Sequence, residues 1–378
     1  MVSLDNLLKS FYFLETGFNI LLIFNMAKII SFFNHKGGVG KTTSAFHIGW
    51  RIAEGGRKVL LIDADPQCNL TGLALGTEDY DSLFQLYTSE KPNNLYSCLK
   101  LFFEGKTSEV SQVENIESTK NPNLYILPGH VDIATFDDEI STALKIARPD
   151  NMPRLQPLVG MFNNLIRKTA AFHNIDVVIV DMSPSISATN KCLLMGSDYF
   201  IVPTAPDFFS HQAIDSLSKV LPKWPESLKW FKNDVILPRN NPKMLGTLLQ
   251  NYRRYDRDGT KGMASAFSKW AGKIREITND KLINSLSNIS KDNGGSMVID
   301  KSVFEGSVKH DKPYNIGEIQ NFNTLIARSQ EYSMPIFALT ATELSQWGGD
   351  VLQKGLDNVE EAKKRYIDIT ESVIKMIF

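Results

Sequence analysis

The sequence predicts an α/β fold, a single domain on a mostly parallel, twisted sheet with helices on both faces. Three observations carry that prediction. Five short apolar runs, "KIISFF", "KVLLID", "LYILPG", "DVVIVDMS" and "YFIVPTA", recur between residues 28 and 205, rich in Val, Ile and Phe. Such near-continuous runs suit parallel strands buried on both faces. Between the first two, Ala45, Ile48, Gly49 and Ile52 fall at helical spacing and Gly55-Gly56 stands in the stop position. Strand, glycine loop, helix, strand is a βαβ unit, which requires a parallel, helix-covered sheet. With 378 residues, 43% hydrophobic and 22% charged, the chain is long enough for a sizeable core.

Taken in order, the chain opens on 25 residues outside this pattern. "FYFLETGFNILLIF" is apolar but interrupted by Glu15, which makes it short for a membrane span. It lacks the basic run and cleavage site of a secretory signal. Because "MAKIISFFN" restarts at Met26 as a clean strand, residues 1–25 read as an upstream start or loose extension, or else as a docking helix, and 26–378 as the domain. The polar segment from about 77 to 165 is expected to form helices and loops on the sheet's rim. A basic segment at about 239–300 is expected to be helical. At the end, Tyr366, Ile369, Val373 and Ile377 recur at roughly helical spacing, while Glu360, Glu361, Asp368 and Glu371 would repel anionic lipid. That predicts a docked terminal helix and no membrane contact.

Bulk properties exclude some classes. A formal net charge of -1 rules out a wholly basic nucleic-acid binder and leaves a local patch open. Cys68, Cys98 and Cys192 are scattered, with no C-x-x-C pair and no histidine at ligand spacing. That pattern reads as a reducing, cytoplasmic setting without a structural metal site.

The chemistry sits in "FFNHKGGVGKTTS", residues 32–44. The phosphate-loop pattern G-x-x-x-x-G-K-[ST] ending on Gly40, Lys41 and Thr42 wants glycine at position 35, where His35 stands. The loop nevertheless follows a strand and opens a helix, the context the motif requires. Backbone N–H groups of Gly37, Gly38, Val39, Gly40, Lys41 and Thr42, with Thr43 behind them, would form an anion-binding concavity at a helix N-terminus. Lys41 would reach the β- and γ-phosphates of a nucleotide, and the Thr42 hydroxyl would ligate Mg²⁺. The fold is therefore read as a P-loop NTPase domain. "LLIDADPQ" puts Asp63 and Asp65, and "VVIVDMSPS" puts Asp181, at strand ends where α/β sheets bind ligands. One strand-end aspartate is commonly just a terminator; three in order after a phosphate loop point to function, with Asp181 where an acidic residue holds Mg²⁺ through water.

"KGGVGKTT", "LLIDADPQ", "VVIVDMSPS" and "DYFIVPTAP" together resemble the ParA/MinD group of ATPases with a deviant phosphate loop, most of all the ParA (Soj-type) partition ATPases. The resemblance is specific from Met26 to about residue 215 and fainter through "MLGTLLQNY" and "IARSQEYSMPIFAL". It implies a homodimer in the ATP state, with Lys36 as the signature lysine crossing to the partner's phosphates while Lys41 serves its own. It further implies that Asp65 positions the attacking water, that Asp63 and Asp181 lie at Mg²⁺, and that Asn251 is near the adenine. ATP hydrolysis would be slow and stimulated by a partner protein. The function implied is DNA partitioning or cargo positioning; the alternative is a switch subunit of another module such as phage defence.

The family's short members bind DNA without sequence preference. Residues 239–281 here hold ten basic residues against four acidic ones, which fits either a phosphate-contacting patch, with nucleoid association, or a solvated helical face. This sequence departs from the family at Cys68, where glycine is common, at Ser183 in place of a proline, and at Lys191 and Cys192 in place of small residues.

Overall fold

The computed structural model describes residues 26–76, 84, 86–87, 92–147, 151–233, 235–257 and 260–378. The expectation for residues 1–25 lies outside them, as do the side chains of 254–257 and 260–262. The chain builds an eight-stranded sheet in the order β10-β7-β6-β1-β5-β2-β4-β3. Its strands are β1 (Lys28–Phe32), β2 (Val59–Ala64), β3 (Glu117–Ser118), β4 (Leu124–Leu127), β5 (Val177–Met182), β6 (Tyr199–Thr204), β7 (Lys243–Tyr252) and β10 (Asn315–Gln320). Every pairing is parallel except that of β3 with β4. The runs read as doubly buried strands are that: β2 and β5 are buried at every position.

Helices cover both faces. On one, α3 (Leu95–Phe103), α4 (Asp137–Ile146), α5 (Gln156–Phe172), α6 (Ala188–Gly196) and α7 (Phe208–Val220) close a core around Val178, Val180 and Phe200. On the other, α1 (Lys41–Glu54) and α2 (Asn69–Leu75) join the C-terminal elements over Ile30, Phe32, Leu61 and Ile179. The last of these elements is the 29-residue α11 (Gly349–Ile377), whose Tyr366, Ile369, Val373 and Ile377 are buried. The expected docked terminal helix is thus present.

One expectation is corrected. The basic segment 239–300 is not helical throughout. It contains β7 and an antiparallel hairpin of β8 (Arg254–Arg257) and β9 (Thr260–Met263), and only from α8 (Ser265–Ile277) is it helical. The reason lies in residue placement. Met244, Leu245, Leu248 and Leu249 are buried between β6 and β10, an apolar run that suits a strand, and of the basic residues Lys269, Lys273 and Arg275 lie on α8. Two short helices, α9 (Lys301–Ser307) and α10 (Thr324–Glu331), flank β10 on either side in the chain.

Candidate functional site

Strand register brings the site together. Phe32 at the end of β1 lies opposite Asp181 at the end of β5, and Asp181 lies opposite Asp63 at the end of β2. The glycine loop therefore leaves β1 beside two strand-end carboxylates, at the carboxyl edge where parallel sheets bind ligands. Among the described residues no group of three or more His, Cys, Asp or Glu side chains could hold a metal by itself. A hard cation here would depend on oxygens that a ligand brings, as Mg²⁺ on phosphate does.

The loop's shape is fixed by two left-handed glycines, Gly38 (φ 71) and Gly40 (φ 77). A Cβ on Gly40 would lie 2.3 Å from Gln250 Oε1, so glycine is required there for space as well as for φ. Asn34 braces the loop, donating from Nδ2 to Pro203 O (2.8 Å) and accepting from the Lys36 N–H (3.0 Å). Lys41 is buried, and its Nζ donates to Lys36 O at 3.4 Å. Burial pulls the Lys41 ammonium below its usual range, and the nearby Asp181 and Asp65 carboxylates oppose that pull.

The three aspartates have different surroundings. Asp181 is fully buried, and among the described residues neither carboxylate oxygen has a hydrogen-bond partner. Burial pushes its carboxyl up to about 8, with Asp63 adding to the effect and the Thr42 hydroxyl and Lys41 opposing it. A buried, orphaned carboxylate beside a threonine hydroxyl fits a divalent cation, which would supply the missing charge. Asp63 is occupied: its Oδ2 accepts from the Thr71 N–H (2.8 Å) and hydroxyl (2.7 Å), and its Oδ1 from the Asp65 N–H (3.3 Å). Burial raises it to about 6. Asp65 lines the cavity, and its Oδ1 caps the Gln67 N–H at 3.0 Å.

Gly37, Gly38, Gly40, Lys41, Thr42, Thr43, Asp65 and Asn251 share one cavity. Lys36, Val39, Asp63 and Asp181 do not line it. Val39 is buried in the core. Lys36 turns aside: its Nζ donates to Asp207 Oδ2 (2.6 Å) and to Ser210 Oγ (3.1 Å) of its own chain. Asn251, at φ 60, donates from Nδ2 to Gly38 O at 3.3 Å.

Sequence reasoning missed Gln250, whose Nε2 donates to Gly40 O (3.0 Å) and to Ser44 Oγ. The available signal was a polar residue inside the apolar run "MLGTLLQNY". The departures also find physical places. Cys68 holds φ 53 at the N-cap of α2, a left-handed position where glycine is at ease. Burial, assisted by Asp63, pushes its thiol up to about 12, so it is protonated and unreactive. Ser183 and Ser185 share their oxygens with one donor, Asn190 Nδ2, which ties down the loop after β5. Lys191 lies over the Trp224 ring at 5.9 Å, and Cys192 is buried in the core.

Among the basic residues of 239–281, Arg275 is paired with Glu318 (3.2 Å) and Lys281 with Asp215 (2.5 Å). Arg253, Lys269 and Lys273 are exposed. No described helix is long and apolar enough to cross a membrane.

Comparison with known proteins gives a consistent picture. Residues 27–231 match the family described as an AAA domain. The chain is 29% identical over 196 residues to the sporulation initiation inhibitor protein Soj of Bacillus subtilis, covering 52% of this chain and 64% of that protein. It is 27% identical over 205 residues to the chromosome partitioning protein ParA of Caulobacter vibrioides, covering 54% and 66%. Each match spans just under two thirds of the relative's own length. The crystal structure of protein DIP2308 from Corynebacterium diphtheriae shares the fold, with a TM-score of 0.58 and 22% identity over 81% of this chain and 97% of that one.

Proposed function

The chain belongs to the AAA-domain family, among its P-loop ATPases of the ParA/MinD type, and from that premise we propose that it is a slow, Mg²⁺-dependent ATPase that dimerises with ATP. Its cycle would drive DNA partitioning or the positioning of another cargo. The observation that carries this reading is the orphaned Asp181 carboxylate beside Lys41 and Thr42, at the mouth of a loop whose glycines present backbone donors. That arrangement lacks only a polyanion and its counter-cation. The names of the relatives, a chromosome partitioning protein and a sporulation inhibitor, favour a spatial organiser over a defence subunit.

The roles follow from the environments. The N–H groups of Gly37 to Thr42 and the Lys41 ammonium bind the phosphates and offset their charge, which is most of what phosphoryl transfer asks of a protein. Thr42 and Asp181 would hold Mg²⁺, which supplies further charge neutralisation. Asp63 anchors the loop through Thr71 and Asp65, and Asp65 orients the attacking water. Lys36, parked on Asp207 in the lone chain, would serve the partner's phosphates in the dimer, and a partner protein would raise the rate. Arg253, Lys269 and Lys273 are exposed cations that DNA phosphates could meet, which would put the protein on the nucleoid in the cytoplasm.

The test is phosphate release from Mg-ATP. Wild type should turn over slowly and faster with added duplex DNA or a partner, and Lys41→Ala should neither bind nor hydrolyse. Tight ATP binding by Lys41→Ala in calorimetry would remove the phosphate-loop assignment.

A further inference from the structure

The cavity at the phosphate loop, about 820 Å³ in volume, is larger than a triphosphate needs. Away from the glycines its lining turns apolar, with Leu73, Phe322, Ile326 and Ile336 as walls. Among the polar side chains on that surface, two are deeply buried. Gln320 ends β10 and Tyr366 comes from α11, and both line the cavity. Both are more than nine-tenths buried, and among the described residues neither the Tyr366 hydroxyl nor Gln320 Oε1 has a hydrogen-bond partner. Buried polar atoms are nearly always satisfied, so two orphans in one apolar recess call for a ligand.

Both groups are held rigidly. The Tyr366 ring stacks on His47 (4.8 Å between centroids) and tilts against Phe337 (5.4 Å). His47 is itself fixed at both nitrogens, Nδ1 to Thr43 O at 2.8 Å and Nε2 accepting from the Ile336 N–H at 3.0 Å. The phenol is thereby tied to the first turn of the helix that carries the phosphate loop. Gln320 Nε2 donates to Glu361 Oε2 at 3.3 Å, which fixes the amide orientation and leaves Oε1 as an acceptor.

We infer that Tyr366 and Gln320 read the base of the bound nucleotide: the phenol donates to a ring nitrogen and the amide oxygen accepts from the 6-amino group of adenine. The walls would take a flat aromatic ring, and the polar pair matches an edge carrying one acceptor and one donor. Guanine puts a carbonyl oxygen at its 6-position, where it would face the Gln320 oxygen. This rests on the ATPase reading and adds the residues that choose the base. Selectivity of this kind is large when a buried group is left unpaired by the wrong ligand.

Calorimetric titration of the full chain with Mg-ATP and Mg-GTP tests it. Wild type should prefer ATP. Tyr366→Phe should bind ATP about tenfold more weakly, yet melt no lower than wild type without nucleotide, because only an unpartnered hydroxyl is removed. Gln320→Leu should cut the ATP-to-GTP ratio by about tenfold. Purine riboside triphosphate, which lacks the 6-amino group, should lose the same factor on wild type and none on Gln320→Leu. If wild type binds ATP and Tyr366→Phe binds it equally well, the base assignment is overturned while the ATPase reading stands. If wild type binds no ATP, both fall.

Discussion

Asp181→Asn should make the nucleotide-free protein more stable while destroying its Mg²⁺-dependent nucleotide affinity. The buried carboxyl is pushed from 3.8 up to about 8, so at neutral pH the folded chain carries it protonated while the unfolded chain ionises it. The folded state binds more protons between those two values, so this group's contribution to stability falls as pH rises through that window. Each unit is worth about 1.4 kcal/mol, and the three units below pH 7 set a ceiling of about 4 kcal/mol. Water entry and local relaxation offset part of it, leaving roughly 2 kcal/mol, or a rise in melting temperature of roughly 2–3 °C. Asparagine is neutral at every pH and removes the term. The gap between variant and wild type should be widest near pH 8 and should shrink by more than half at pH 5, where little of the window remains. Thermal melts from pH 5 to 8, with and without Mg-ATP, read both halves. A variant as stable as wild type at every pH would show that Asp181 is compensated in the lone chain, and the argument for a missing cation would fail with it.

Three further outcomes are expected. Lys36→Ala should bind ATP as a monomer almost normally, since the loop's N–H groups and Lys41 remain, but its ATP dimer should weaken by roughly 10²-fold, two charged contacts being lost per symmetric pair; sedimentation with Mg-ATP reads this, and wild-type dimerisation would reduce Lys36 to a surface charge. Asp65→Ala should keep ATP and Mg²⁺ binding, lose hydrolysis and accumulate dimer in light scattering, whereas normal turnover would mean another group orients the water. His47, which burial holds down at about 4, should cost stability as pH falls from 6.5 toward 4, because the unfolded chain protonates first; the ceiling is about 3 kcal/mol. A His47→Leu variant should therefore lose less stability on acidification than wild type in denaturant titrations, and an identical slope would reject that account. His47 and Asp181 act in opposite directions over the same range, so the two variants are needed to separate them.

The parts of the fold that were legible in sequence are those where one residue type does one job. β2 and β5 are buried on both faces and read as unbroken apolar runs, and the glycine loop reads as itself because only glycine tolerates the left-handed turn at Gly40 under Gln250. β10 gave no such signal. "NIGEIQ" is an edge strand with a glycine where Ile369 approaches, a Cβ on Gly317 lying 2.5 Å from Ile369 Cγ1, and with Glu318 bonded to Lys312 and Arg275. Two of those choices are made by residues far away in the chain, Ile369 and Arg275. The same holds for the base recess. Tyr366 was legible as an apolar position on a helix face, but that it lines the cavity at the phosphate loop depends on how α11 crosses α1, which no local pattern encodes.

The two lysines of the loop show what a single chain decides and what it leaves open. Lys41 is buried, donates to Lys36 O and lies within the electrostatic reach of Asp181 and Asp65, so the fold of its own chain places it. Lys36 sits in a half-exposed pair with Asp207, its side chain 20% and that of Asp207 42% exposed, and such pairs are worth about 1 kcal/mol or less. A charged contact with a phosphate in a closed interface is worth about 1.5–3 kcal/mol. In the proposed dimer the exchange of Asp207 for a partner's phosphate would therefore run downhill by a small margin, twice in each symmetric pair. Such a margin would be enough to make assembly depend on the nucleotide, and small enough for the pair to come apart once the γ-phosphate had gone.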